Sequence, residues 1–367
     1  MSDSIKFSPK GAFSFYWNQS IDRKDFCVVR LGKSLVGFLK TFFCGHRVDK
    51  IDVKPVFDGN DHKDSIFAKE CGKEMTSFIV AKVNNKHYQD INYLLKAAFN
   101  GDEKTIETLL KDENAKSIIN ETGDRGFTAL QFAAEVGHVG ILKRLLEAGA
   151  KADVADASGT TPLHLAAEKG HDKCLAALLD VVDVGAVNAI RGSMNAMPLH
   201  DAASGGHKEC IALLVERGGI NINARTVCGD TALHWGCGRG GNKESVLALL
   251  EHPDIDVNLR SYGVHGKVPL YVAIGNRNFG CVEALLDNKR KKVDVNQKCG
   301  INMHTPMHFA IEMNSPRILS KLLAQEGILL NQLNKDGLTP LDYANHIGAT
   351  ECAEILKAFG EKQGKSI

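Results

Sequence analysis

Thr161-Pro162-Leu163-His164-Leu165-Ala166-Ala167-Glu168-Lys169-Gly170-His171 decides the fold, because degraded copies of it recur along the C-terminal three quarters of the chain. At the Pro162 position the copies carry Ala129, Pro162, Pro198, Ala232, Pro269, Pro306 and Pro340, separated by 33, 36, 34, 37, 37 and 34 residues. A period of that size marks a stack of supersecondary units, each too thin to bury its apolar face alone. Within one copy, Thr161 is placed to cap a helix and Pro162 to fill its first position, where a missing N–H costs nothing. Leu163, Ala166 and Ala167 face the next unit, the alanines allowing close approach, and Gly170 breaks the helix. A second helix is expected from about His171 to Leu179, burying Leu175, Leu178 and Leu179. A turn and a short two-stranded finger complete the unit.

The Thr-Pro-Leu-His opening, the closing Leu-Leu pair and the spacing together resemble the ankyrin repeat, over roughly residues 88–360. The resemblance implies a mainly α-helical solenoid. Seven recognisable units begin near Phe127, Thr160, Ala196, Asp230, Lys267, His304 and Leu338. A degenerate first unit, Ile91–Phe99 and Glu103–Leu110, lacks the signature, as terminal repeats often do. The last unit puts Asp342 where others put histidine, and its second helix carries Glu351, Glu354 and Lys357, which reads as a cap. The expected organisation is a small β-rich or α+β module at 1–86, the solenoid at 87–360 and a polar, frayed tail at 361–367.

Composition narrows the function classes. The 45 basic and 44 acidic residues nearly cancel, which argues against a general binder of nucleic acid or membrane surfaces. The ten cysteines show no pairing pattern. Cys174, Cys210, Cys281 and Cys352 fall at apolar positions of second helices, where a thiol acts as a small hydrophobe. Met1–Lys10 has no apolar core, and the apolar run Leu35–Cys44 is interrupted by Lys40 and too short to span a bilayer. A soluble protein of a reducing intracellular compartment, the cytoplasm, is expected.

Residues 1–86 do not repeat and resemble no family. Ala12–Trp17, Phe26–Leu31, Ile51–Phe57 and Ser77–Val83 read as strands, and Ser34–Cys44 as a short helix or strand pair. Leu31-Gly32-Lys33-Ser34 looks like the tail of a phosphate-binding loop, but Cys27 stands where that pattern wants glycine. Cys44 and His46, with Cys27, His62 and Cys71, could ligate zinc, yet they lack the paired spacings of structural sites. A nucleophile pair of Cys44 or Cys71 with His62 or His87 is the corresponding catalytic reading.

Within the repeats, His164, His200, His234 and His308 recur one per unit. That spacing suits bonds to the next unit's backbone better than one metal or catalytic site. Gly236-Cys237-Gly238-Arg239-Gly240-Gly241 has a dinucleotide-loop look, but the glycines end a helix instead of opening one. Trp235, at the Leu165 position, is expected to be half-buried packing.

The resemblance implies that a partner protein lies in the groove made by finger tips and the exposed ends of first helices. Carried across by motif, that groove offers Ala157, Glu168 and Lys169, then Arg191, Met194 and Asn195, then Arg225, Val227 and Arg239. The next units offer Arg260, Tyr262 and Lys267, then Met303, His304, Glu312 and Met313. Arg, Tyr and Met are residue types enriched at interfaces. The expected function is non-enzymatic recognition of another protein, with no cofactor and no metal. The alternative is that the repeats deliver a catalytic or adaptor N-terminal domain to a target. That layout resembles substrate adaptors and effectors secreted by intracellular bacteria, which act in host cytoplasm.

Overall fold

The computed structural model describes residues 26–28, 51–55, 79–83 and 86–363, apart from 113–116, 124 and 264. The chain divides into two units, Met1–Asp90 and Ile91–Ile367. In the first, strands β1 (Phe26–Val28), β2 (Ile51–Pro55) and β3 (Ile79–Val83) form an antiparallel sheet in the order β1-β3-β2. Phe26 pairs with Ala81 and Val53 with the same residue from the other side. The expected strand Ala12–Trp17, the segment Ser34–Cys44, Gly32-Lys33-Ser34, and Cys44, His46, His62 and Cys71 lie outside the described residues.

The second unit begins within helix α1 (Lys86–Asn100), which α2 (Glu103–Leu110) follows. These are the two helices expected of a degenerate first repeat. Helix pairs then recur: α3 (Ala129–Val136) with α4 (Val139–Glu147), and α5 (Pro162–Lys169) with α6 (Asp172–Leu179). A one-turn helix, α7 (Val184–Val187), precedes α8 (Pro198–Gly205) and α9 (Lys208–Glu216). Next come α10 (Ala232–Gly236) with α11 (Lys243–Leu250), and α12 (Pro269–Gly275) with α13 (Phe279–Leu286). The array closes with α14 (Pro306–Glu312) and α15 (Pro316–Leu323), then α16 (Pro340–His346) and α17 (Thr350–Gln363). Helix α17 continues through Gly360 to Gln363.

First helices pack on first helices and second on second, giving two layers of neighbour contacts. Leu163, Ala166, Ala167, Leu175 and Leu178 are fully buried, as the motif requires. Cys174, Cys210, Cys281 and Cys352 are buried among them as free thiols. Burial pushes the Cys174 thiol up to about 11 and Cys210 to about 12, so both stay protonated and inert.

Candidate functional site

Three of the four signature histidines, His164, His234 and His308, are each fixed by three bonds. In α5, the Thr161 N–H donates to His164 Nδ1 (3.2 Å), Thr161 Oγ1 lies 2.8 Å from it, and His164 Nε2 is 3.2 Å from the Ala196 carbonyl. Because Nδ1 accepts a backbone N–H, the ring is neutral and carries its hydrogen on Nε2, which donates to the following unit. His234 does the same to the Lys267 carbonyl and His308 to that of Leu338, both at 3.0 Å. Burial holds His164 and His308 down at about 4. His200 departs from the pattern: Met197 N–H donates to Nδ1, but Nε2 has no partner, and the ring stands edge-on to Trp235. Trp235 is half-buried, as expected.

A second ladder joins the turns. Asn258 accepts the Asp294 N–H (2.8 Å) and donates to the Lys292 carbonyl (3.0 Å); Asn188, Asn223 and Asn296 make the matching pairs. Asn120 accepts the Lys151 N–H, two residues before Asp153, so Asp153 fills the corresponding place in the next unit.

These ladders align the fingers, and backbone bonds tie the tips together. Gly192 N–H donates to the Ser158 carbonyl, Val227 to Met194, Tyr262 to Cys228, Gly300 to His265 and Lys335 to Asn302. Two fingers close alike, through the bridges Arg191–Ala196 and Cys299–His304. Asn195 and Met303 both sit there at positive φ, 54° and 50°, a conformation that costs a side chain more than glycine. Met194, Val227, Tyr262, Ile301 and Met303 are left 36–60 % exposed along these tips.

The predicted site residues separate into two groups. Met194, Asn195, Val227, Arg239, Tyr262, Lys267 and Met303 are exposed, as are Ala157, Lys169 and Glu312, while Met313 is half-buried on the core. The others hold the array together. Arg191 is ion-paired to Glu168 (2.6 Å) and Asp201 (2.8 Å). Arg225 donates to the Arg260 carbonyl (2.5 Å) and lies 5.2 Å over the Tyr262 ring; Arg260 in turn donates to the Lys298 carbonyl (2.7 Å). His304 is buried, paired with Glu312 at 3.0 Å and packed on Tyr343.

Asp201 is the functional-looking residue that sequence reading passed over. Its position in other first helices holds Phe132, Leu165, Trp235, Val272, Phe309 and Tyr343, so one carboxylate interrupts an apolar stripe. It is 4 % exposed, its Oδ2 lacks a partner, and burial raises it to about 6 against the pull of Arg191. The signal was present in the repeat alignment, as one charge in a hydrophobic column.

The glycine run after α10 is structural. A Cβ on Gly240 would strike the Ser204 carbonyl and one on Gly241 the Gly236 carbonyl, so these residues let a shortened helix turn against its neighbour. Among the described residues no three His, Cys, Asp or Glu side chains are grouped to hold a metal ion, and no helix is long and apolar enough to cross a membrane.

Comparison with known proteins agrees with this geometry. A family profile described as "Ankyrin repeats (3 copies)" matches residues 94–188, 182–261, 199–299 and 270–365. Ankyrin repeat-containing protein ITN1 of Arabidopsis thaliana is 37 % identical over 94 residues, which is 25 % of this chain and 15 % of that protein. Alpha-latrotoxin-Lg1a of Latrodectus geometricus is 33 % identical over 99 residues, 27 % of this chain and 7 % of the toxin. The nuclear factor NF-kappa-B p105 subunit of Gallus gallus is 37 % identical over 76 residues, 21 % of this chain and 8 % of the subunit. The chain thus spans at most 15 % of the length of these three relatives.

Proposed function

Because the chain belongs to the ankyrin-repeat family, we propose that it acts by holding another protein rather than by turning over a substrate. The observation that carries this reading is the row of exposed apolar side chains on Met194, Val227, Tyr262, Ile301 and Met303, borne on fingers whose backbones are bonded to one another. Exposed apolar side chains grouped on a rigid frame suit binding, since little ordering is left to do when a partner arrives. Three signature histidines support the same reading: His164, His234 and His308 commit both ring nitrogens to cap and backbone groups and are not free to act as bases.

The test is recovery of partners by the full chain against a Val227→Ser, Tyr262→Ser, Met303→Ser variant. Loss of a partner from the variant, with its helical circular dichroism unchanged, is expected. Recovery of every partner in equal amount would remove these residues from the site. The alternative of a delivered N-terminal activity predicts that replacing Cys27, Cys44 and Cys71 abolishes function, whereas the recognition reading predicts undiminished binding. Buried free thiols in the repeats suit work in a reducing intracellular compartment.

A further inference from the structure

We propose that the segment held on the four central fingers is an extended peptide whose apolar residues are separated by aspartates or glutamates. The inference rests on the recognition reading above and adds charge to it. The fingers spanning 190–196, 225–230, 260–267 and 298–304 carry Arg191, Arg225, Arg260, Lys267 and Lys298 against a single carboxylate, Asp230. Arg191 is neutralised by Asp201 and Glu168. Among the described residues the other four cations form no ion pair: Arg225 and Arg260 donate to backbone carbonyls, which occupy some of a guanidinium's five donors without cancelling its charge. The acid at the far end of the strip, Glu312, is itself bonded to His304.

Cations and apolar groups alternate along the tips. Arg225 and Val227 share one finger; Arg260, Lys267 and Tyr262 the next; Lys298, Ile301 and Met303 the one after. Val227 N–H bonds the Met194 carbonyl and Tyr262 N–H that of Cys228, so the apolar side chains stand on adjoining fingers. A wholly apolar or basic segment laid here would strip water from unpaired cations, a penalty that rises as contact tightens. A segment with carboxylates between its apolar residues removes the penalty and adds steering. Nucleic acid fits less well: valine, isoleucine and methionine give bases no stacking face, and the guanidinium of Arg225 already lies 5.2 Å over the ring of Tyr262.

The experiment measures fluorescence anisotropy of labelled peptides with the full chain, at low and high salt. The peptides share one set of alternating leucine, isoleucine and phenylalanine residues and differ only in what lies between: glutamate and aspartate, serine, or lysine. Oligothymidylate of equal length is a further probe. The acidic peptides are expected to bind at least about tenfold more tightly than the lysine set and to lose that margin in salt. Lys267→Glu with Lys298→Glu, whose side chains take no part in the finger-to-finger bonds, should erase or reverse the preference. Equal binding of serine or lysine peptides, still weakened by Tyr262→Ser, would overturn the charge inference and leave the recognition site standing. Indifference of acidic-peptide binding to Val227→Ser and Tyr262→Ser would overturn the site itself. Oligothymidylate binding as tightly as the acidic set, or no acidic peptide binding at all, would overturn the assignment of an acidic peptide.

Discussion

His164 and His308 commit both ring nitrogens to backbone or cap groups, and the protonated ring would lose its acceptor. Their folded pKa near 4 lies below the ordinary 6.5, so the unfolded chain takes up protons first on acidification. Stability from these groups is therefore complete above about 6.5 and is lost as pH falls toward 4, at roughly 1.4 kcal/mol per pH unit for each histidine. Gln131 shows how to remove the effect: its Oε1 accepts the Thr128 N–H and its Nε2 donates to the Thr160 carbonyl, the same two bonds without a titrating group. His164→Gln should stay within about 1 kcal/mol of wild type near neutral pH and show a shallower loss on acidification, measured by thermal melts across pH. Asp201 has the opposite sign. Its folded pKa, raised from 3.8 to about 6, makes the native state the better proton acceptor, so this group's contribution falls as pH rises through that window. Asp201→Leu, restoring the stripe that Leu165 and Trp235 occupy elsewhere, should gain about 1–2 kcal/mol near neutral pH. A loss of stability would show that the Arg191 pair outweighs the desolvation.

Between units, the joints are made of side chains that finish a neighbour's backbone. Asn258→Ala leaves the Asp294 N–H and the Lys292 carbonyl without their partner and should cost about 1–3 kcal/mol in denaturant melts. Much of this scale is readable from sequence, because caps and periodicity are local: Thr161, Pro162 and Gly170 each name their place in a helix whatever surrounds it. The histidine bonds were foreseeable from their one-per-unit spacing. The arginines were not, since a cation on a turn looks the same whether it meets water or, like Arg225 and Arg260, the next finger's carbonyl. The second finger has no asparagine in this column, and the bond from Lys151 N–H to Asn120 shows that Asp153 fills the place.

Across the array, contacts run between neighbours, so stability is a sum of units and joints and weakness can be confined to one of them. The shortest first helix is α10, five residues followed by glycines that fit only because they lack a Cβ. Hydrogen exchange is expected to be faster over 232–241 than over the equivalent α5 and α8, which are eight residues each. Uniform protection along the stack would contradict this.

The signature bonds all point one way. Each donor, from Gln131 through His164 and His234 to His308, reaches forward to the unit after it, whereas Asp342, in the equivalent place, bonds back to Thr339 and as a carboxylate has nothing to give. The row is therefore a queue with a marked front and rear. A duplicated leaf slipped into its middle would find a hand on either side; one grafted behind Asp342 would have to bring its own, and replacing that aspartate by histidine is the smallest change that would supply it.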